Sequence, residues 1–341
     1  MVSKLLRLSA RYGTTVLVCG LFVSLSLIIC LSLCSMQCDT PSSRHCMAEV
    51  LSLQNQILVK KVVETAPQQS VSYFFVVLIM SSPNSHSQRD LLRTTWLSKI
   101  PEDVLAKFVI GTARLDPEKV QELEQEQLEH HDLLLLPTLT DSYKNLTMKL
   151  LESFIWLNAN INYKYVLKTD QDTYVQVHEL KTILQKSGSQ RVYWGFFDGR
   201  AHVKKQGKWL EKNFVLCDRY LPYAVGGGYI ISSDLVRYIA QNWRLLQRFH
   251  SEDVSVGVWL APLEINRIHD PRFDTEFVSR GCNNQYLVTH KQSPGDIRDK
   301  HNYLMMTGKL CRNQFQKRLS YIYNWNVPPT KCCERNNNTV P

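Results

Sequence analysis

Two carboxylates one residue apart stand where a strand is expected to end. The run Tyr163–Val175 reads Tyr-Lys-Tyr-Val-Leu-Lys-Thr-Asp-Gln-Asp-Thr-Tyr-Val. Its β-branched and aromatic beginning predicts a strand over 163–169. Asp170 and Asp172 follow, with Gln171 between them. A pair placed in this way reaches a divalent cation from one side and leaves coordination positions open, because hard cations take oxygen donors and keep sites for substrate phosphates. Acids that simply close a strand and open a turn would look the same.

A second acidic site is His250-Ser251-Glu252-Asp253-Val254, ahead of a helix carrying Val254, Val258 and Leu260. Ser251 can cap that helix, and acids suit the first turn of a helix dipole. The alternative is that one of the two acids, Asp253 or Glu252, is a general base at a helix start. His290, in Leu287-Val288-Thr289-His290-Lys291, is either a structural imidazole or an addition to a carboxylate-held metal. Mixed imidazole and carboxylate ligation suits Mn²⁺. Gly226-Gly227-Gly228 marks either a close backbone approach or a loop into a strand over 229–232.

These groups need a scaffold, and the chain supplies alternating strands and helices. Tyr73–Met80 is a continuous apolar run, as a buried strand should be. A helix over 89–97, a strand over 107–111, a solvated acidic helix over 117–131 and a strand over 133–136 follow. Asp141 or Ser142 is expected to cap a helix whose Tyr143, Leu146, Leu150, Phe154 and Leu157 share one face. That helix feeds the strand that ends at Asp170. The order predicts an α/β fold with a parallel sheet, and a ligand beyond the carboxyl ends of its strands. An aromatic strand over 191–197, a basic turn at Lys204, Lys205, Gly207 and Lys208, and a helix over 233–243 come later.

At 341 residues the chain can hold one large domain or two small ones, and 44% hydrophobic and 21% charged residues are ordinary for a globular protein. The net charge of +9 suits phosphates or acidic glycans. No basic block is interleaved with aromatics, which argues against a nucleic-acid surface. From Tyr12 to Cys38 there is no charged residue, with Lys4, Arg7 and Arg11 before the run and Asp39 after it. This predicts a cytoplasmic tail over 1–11, a single transmembrane signal anchor over 12–38, a stem over 39–70, a luminal domain over 71–333 and a tail over 334–341. A cleaved signal peptide would have a shorter apolar core. Five cysteines of the expected luminal domain, Cys217, Cys282, Cys311, Cys332 and Cys333, cannot all pair among themselves. Asn145-Leu146-Thr147 and Asn337-Asn338-Thr339 are glycosylation sequons, with Asn145 and Asn337 as acceptors.

Taken together, several stretches resemble the β-1,3-glycosyltransferases of glycosyltransferase family 31. The family's R-x-x-x-R-x-T-W element stands here as Arg89–Trp96, and its D-S-Y-x-N-L-T-x-K element as Asp141–Lys149. Lys168–Tyr174 matches K-x-D-D-D-x-Y, with Gln171 in place of the middle acid. Pro222–Ser232 and Glu252–Gly257 match the family's glycine-rich and E-D-V-x-x-G elements. The stretches 193–197, 269–276, 280–282 and 284–293, with Cys332-Cys333, are similar to the branch that builds the glycosaminoglycan linkage region.

The resemblance implies a GT-A type, Rossmann-like central sheet with flanking helices, a UDP-galactose donor, Mn²⁺ and inversion at the anomeric carbon. It implies a galactosyl-xylose acceptor on proteoglycan core proteins, a Golgi membrane location with a luminal catalytic domain, and association with other linkage-region glycosyltransferases. By position, Asp172 and His290 become the protein ligands of the metal, with Asp170 supporting them. Asp253 becomes the base, with Glu252 as fallback. Arg89, Arg93 and Lys168 become donor contacts. Trp194, Phe196 and Tyr223, together with Phe197, offer aromatic faces to acceptor sugars or else fill the core. Another donor, such as UDP-N-acetylglucosamine, or a non-catalytic glycan-binding role would share the same motifs.

Overall fold

The computed structural model describes residues 72–188 and 190–336. The expected anchor over 12–38, the stem over 39–70 and the sequon Asn337 lie outside them. Among the described residues no helix is long and apolar enough to cross a membrane.

The apolar run at the start of the domain forms β1 (Ser72–Met80), whose Phe75 to Ile79 are wholly shielded from solvent. After α1 (His86–Arg93), β2 (Val104–Gly111), α2 (Pro117–His130) and β3 (Leu133–Leu136), a single 3₁₀ turn leads into α3 (Leu146–Asn160) and then β4 (Asn162–Asp170). β5 (Tyr174–Val175), α4 (Val177–Ser187), β6 (Val192–Asp198), β7 (Tyr223–Ser232) and α5 (Ser233–Asn242) follow. The chain continues through α6 (Glu252–Leu260), β8 (Asn266–His269), β9 (Phe273–Asp274), β10 (Gly281–Cys282), β11 (Val288–Thr289), α7 (Pro294–Thr307) and β12 (Phe315–Gln316).

The main sheet has the order β3-β2-β1-β4-β7-β6-β8. The first four strands are parallel, as strand–helix alternation requires. β7 is antiparallel to both β4 and β6, and β8 runs parallel to β6. The fold is therefore mixed α/β with a mostly parallel sheet. The chain winds outward from β1 to β3, then returns to place β4 on the other side of β1. That reversal opens a crevice between the carboxyl ends of β1 and β4, where Met80 lies in register with Asp170.

Several local expectations change. α1 spans 86–93 rather than 89–97, and Thr94, its C-terminal cap, returns its N–H to Asp90. Neither Asp141 nor Ser142 caps α3, because the Asp141 carboxylate is taken by Gly111 N–H at 2.9 Å and Lys149 at 2.6 Å. Leu150, Phe154 and Leu157 do form the buried face of α3, while Tyr143, 37% exposed, lies outside it. The acidic helix α2 is not solvated all round: Leu123 and Glu126 point inward. Cysteine parity resolves as pairs 282–311 and 332–333, with Cys217 free and exposed.

Candidate active site

β4 delivers the first acids. Its last residue, Asp170, sits at the crevice, and the following turn carries Asp172. A small sheet, β5-β11-β9, brings the carboxyl part of the chain to the same place. β11 pairs with both β5 and β9, and His290 follows it directly, its N–H on the Asp274 carbonyl at 2.9 Å. Gln292 N–H on the Asp172 carbonyl, also 2.9 Å, ties the two segments again. His290 Nδ1 lies 3.2 Å from Asp172 Oδ1, and Nε2 lies 3.9 Å from Asp170 Oδ2. One ligand atom from each of Asp170, Asp172 and His290 falls within 4.8 Å of the others.

Two carboxylates and one imidazole on one side of an open crevice fit Mn²⁺ or a related divalent ion. Burial holds His290 below its ordinary 6.5, leaving a neutral imidazole able to ligate. Thr173 Oγ1, 3.0 Å from Nδ1, and Lys291 Nζ, 3.3 Å from Asp172 Oδ2, frame the set.

Two of the three glycines are explained by this packing, and a Cβ on the third, Gly228, would stand 2.8 Å from Val288 Cγ1 of β11. A Cβ on Gly227 would stand 2.6 Å from His290 Cγ and 2.8 Å from the Thr275 carbonyl. One on Gly226 would crowd Glu252 Oε1 at 3.0 Å and Asp253 Oδ2 at 3.1 Å. β7 thus passes between the histidine and the second acidic site with no room for side chains, so the close approach is to the protein's own functional groups.

That second site opens α6. Ser251 is its N-cap residue, but its hydroxyl makes no cap bond. Asp253 is partly exposed, and its two oxygens accept Gly226 N–H at 2.9 Å and Val254 N–H at 2.8 Å. Burial pushes its carboxyl up from the ordinary 3.8. Glu252 is buried, accepting the Tyr229 hydroxyl at 2.8 Å and pairing with Lys168. Burial pushes Glu252 up to about 7 against the pull of Lys168. Of the two acids, Asp253 is the one with exposed surface. Glu252 is 3% exposed, with its carboxylate engaged by Tyr229 and Lys168.

Lys168 is a tether. Only 1% exposed, it donates to Asp170 Oδ1 at 2.8 Å and to the Gly226 carbonyl at 2.5 Å, and pairs with Glu252. Burial alone would depress it, but the carboxylates of Asp170 and Glu252 outweigh that and keep it charged. Its ammonium is spent on these three groups, and it holds the two acidic sites together.

Arg89 and Arg93, expected as donor contacts, are engaged inside the fold. Arg89 is completely buried, with Nε on Glu126 at 2.6 Å and Nη1 on the Ser82 carbonyl at 2.7 Å. Arg93 binds Asp132, Asp90 and Glu126. Both guanidiniums fasten α1 to the α2–β3 region, because Glu126 turns inward and demands cationic partners. Trp194, Phe196, Phe197 and Tyr223 are all buried. Trp194 gives its indole N–H to Asp270 at 3.0 Å, and Phe196 packs against His269 and Tyr321, so the aromatic strand is core and not an acceptor platform. Asn145 donates its side-chain amide to the Thr140 carbonyl at 2.8 Å, and Thr147 is buried with its hydroxyl on the Phe249 carbonyl.

Lys149 and Asp141 were legible only as ends of one motif. Lys149 crosses from α3 to the Ser81 carbonyl and the Asp141 carboxylate, so the carboxyl ends of β1 and β2 and the start of α3 are tied at one point.

The family model described as Galactosyltransferase matches residues 87–271. The chain belongs to the galactosyltransferase family. It is 49% identical over 269 residues to beta-1,3-galactosyltransferase 6 of Mus musculus, covering 77% of this chain and 83% of that protein. It is 28% identical over 216 residues to UDP-GalNAc:beta-1,3-N-acetylgalactosaminyltransferase 2 of Xenopus laevis, covering 60% of this chain but 43% of that one. Among solved structures, a mannosyltransferase of Pyrobaculum calidifontis in complex with GDP-Man and Mn²⁺ aligns at TM-score 0.36 and 12% identity, covering 67% of this chain and 64% of that one. A likeness that small carries no argument. As a family member the chain is a glycosyltransferase, and the crevice that joins Asp170, Asp172, His290 and Asp253 is its candidate active site.

Proposed function

We propose that this galactosyltransferase is an inverting β-1,3-galactosyltransferase of GT-A type. It moves galactose from UDP-galactose to the galactosyl-xylose primer of proteoglycan core proteins. The observation that carries the reading is Lys168, one buried ammonium joined both to Asp170 of the donor-side cluster and to Glu252 beside Asp253. It supports a cleft in which nucleotide departure and acceptor activation are held in one frame.

Asp172, His290 and Asp170 would hold the divalent ion, for which Mn²⁺ fits best. When bound, such an ion supplies Lewis acidity to the leaving diphosphate. The remaining work belongs to the chain. Asp253 takes the proton of the acceptor hydroxyl as that oxygen bonds to the anomeric carbon. The bond from that carbon to the diphosphate oxygen breaks, and UDP departs with the electron pair. Gly226 and Val254 N–H groups orient the Asp253 carboxylate, leaving its remaining lone pairs for the hydroxyl. The mouse relative of 49% identity supports galactose and a β-1,3 linkage by its name. The uncharged run over 12–38 supports a single-pass Golgi membrane protein with its catalytic domain in the lumen. The linkage-region reading also makes the other linkage-region glycosyltransferases natural partners.

Purified protein with Mn²⁺, a panel of UDP-sugars and a galactosyl-β-xyloside tests this, with products read by mass and linkage. A β-1,3-linked galactose product is expected. Transfer of N-acetylglucosamine instead, or a different linkage, overturns the assignment.

A further inference from the structure

The loop over 199–222, between β6 and β7, carries side chains that no step above uses. It closes one side of a cavity of about 680 Å³ whose other walls come from the start of α3 and the segment 248–250. That volume lies within the roughly 300–1,000 Å³ of ligand clefts. Phe249 and His250 of its wall directly precede Ser251, Glu252 and Asp253. Across from them, the Tyr143 ring centroid is 5.6 Å from that of His250. Burial first, then the negative charges of Asp253 and Glu252, push the Tyr143 phenol up to about 12, so it remains a neutral donor. The cavity wall therefore runs on, three residues after His250, to the candidate base.

Trp209 stands at the cavity's rim, between the lining residues Lys208 and Leu210. The Trp209 side chain reaches the Tyr143 hydroxyl while remaining 42% exposed. Lys208 Nζ sits 4.2 Å over the Tyr143 ring and covers one of its faces, whereas the indole keeps open surface. Glu211, the acid in the lining, spends its oxygens on Asn213 N–H at 2.9 Å and His250 N–H at 2.6 Å. An open indole beside hydroxyl and ammonium donors offers an apolar face and a polar rim together. A pyranose presents the complementary pair, a face of C–H bonds edged by hydroxyls.

We propose that this cavity receives the acceptor glycan, with a sugar ring stacked on Trp209 and hydrogen-bonded by the Tyr143 hydroxyl. The proposal rests on the transferase reading and puts the acceptor platform on the 199–222 loop instead of on the buried aromatics of β6.

The test uses the full chain with Trp209→Ala, Trp209→Phe and Tyr143→Phe. With the donor saturating, Trp209→Ala should raise the KM for galactosyl-xyloside about tenfold. Trp209→Phe should recover most of that loss, and Tyr143→Phe should raise the same KM several-fold. The KM for UDP-galactose and the Mn²⁺ requirement should not move. An unchanged acceptor KM in Trp209→Ala, or an equal rise in both KM values, overturns the proposal. A second arm needs no turnover: saturation-transfer NMR of galactosyl-xyloside on the donor-free protein. Glycan signals present in the wild type and lost in Trp209→Ala support the site, and equal signals in both refute it. Should the wild type transfer no sugar, the catalytic reading fails while this arm still decides whether the cavity binds the glycan.

Discussion

Replacing Asp253 with Asn separates chemistry from structure at the proposed base. The carboxylate accepts two backbone N–H groups, from Gly226 and Val254. An amide of the same shape offers one oxygen and must turn its NH₂ toward the other donor, so one of the two bonds is lost. That costs about 1 kcal/mol, a shift of a few degrees in Tm for a domain of this size. Loss of a general base removes roughly 10²–10⁴ in rate, which is about 2.7–5.5 kcal/mol of transition-state stabilisation. The catalytic loss should thus far exceed the structural one. Product formation followed by mass, with UDP affinity measured by calorimetry in Mn²⁺, reads the two apart. Turnover should fall at least a hundredfold while UDP affinity and Tm stay close to wild type. Burial raises the Asp253 carboxyl above its ordinary 3.8, and a base works only when ionised. The wild-type kcat/KM should therefore fall on the acid side with a midpoint above that value, and the variant's residual rate should lack this limb. Turnover within tenfold of wild type, with the limb retained, would refute the assignment.

Three further outcomes follow from the same contacts. Asp172→Ala removes an oxygen from the metal set, so Mn²⁺ titration should show at least tenfold weaker binding and UDP-galactose affinity should drop with it; unchanged donor affinity would remove Asp172 as a ligand. Gly227→Ala drives a methyl into His290 and the Thr275 carbonyl, and it should weaken Mn²⁺ binding about as much, although position 227 bears no ligand atom; intact binding would show that β7 can yield. Glu126→Gln strands Arg89 without its ion pair and should cost about 3–5 kcal/mol in denaturant unfolding. Burial alone would push Glu126 up, but Arg89 and Arg93 outweigh it and hold it down at about 2, against an ordinary 4.5. Its contribution is present above pH 4.5 and is lost as pH falls toward 2, so the gap between wild type and variant should narrow over that interval; a constant gap would contradict this.

The alternation of apolar runs predicts the parallel half of the sheet, because strand and helix periodicities are local properties of the chain. Asp170 at the end of β4 and Asp253 at the start of α6 are legible for the same reason: each is fixed by its position in a local element. The three glycines signal close packing, since only a missing Cβ allows it. What they pack against, from Glu252 and Asp253 to His290, lies 26 to 63 residues further along the chain, and no local pattern encodes that.

Tertiary structure decided which matching residues touch the cleft. Arg89, Arg93 and Lys168 carry charges that suit a nucleotide, yet Glu126, Asp132, Asp170 and Glu252 reach them first. Trp194 and Phe196 carry faces that suit sugars, yet β6 lies inside the sheet with both sides covered. Residue type and spacing were enough to establish that the chain can gather a metal-binding set and a base. Which charges are spent inside the fold, and which aromatic rings remain open, depends on burial and long-range pairing, and these exist only once the chain has closed on itself.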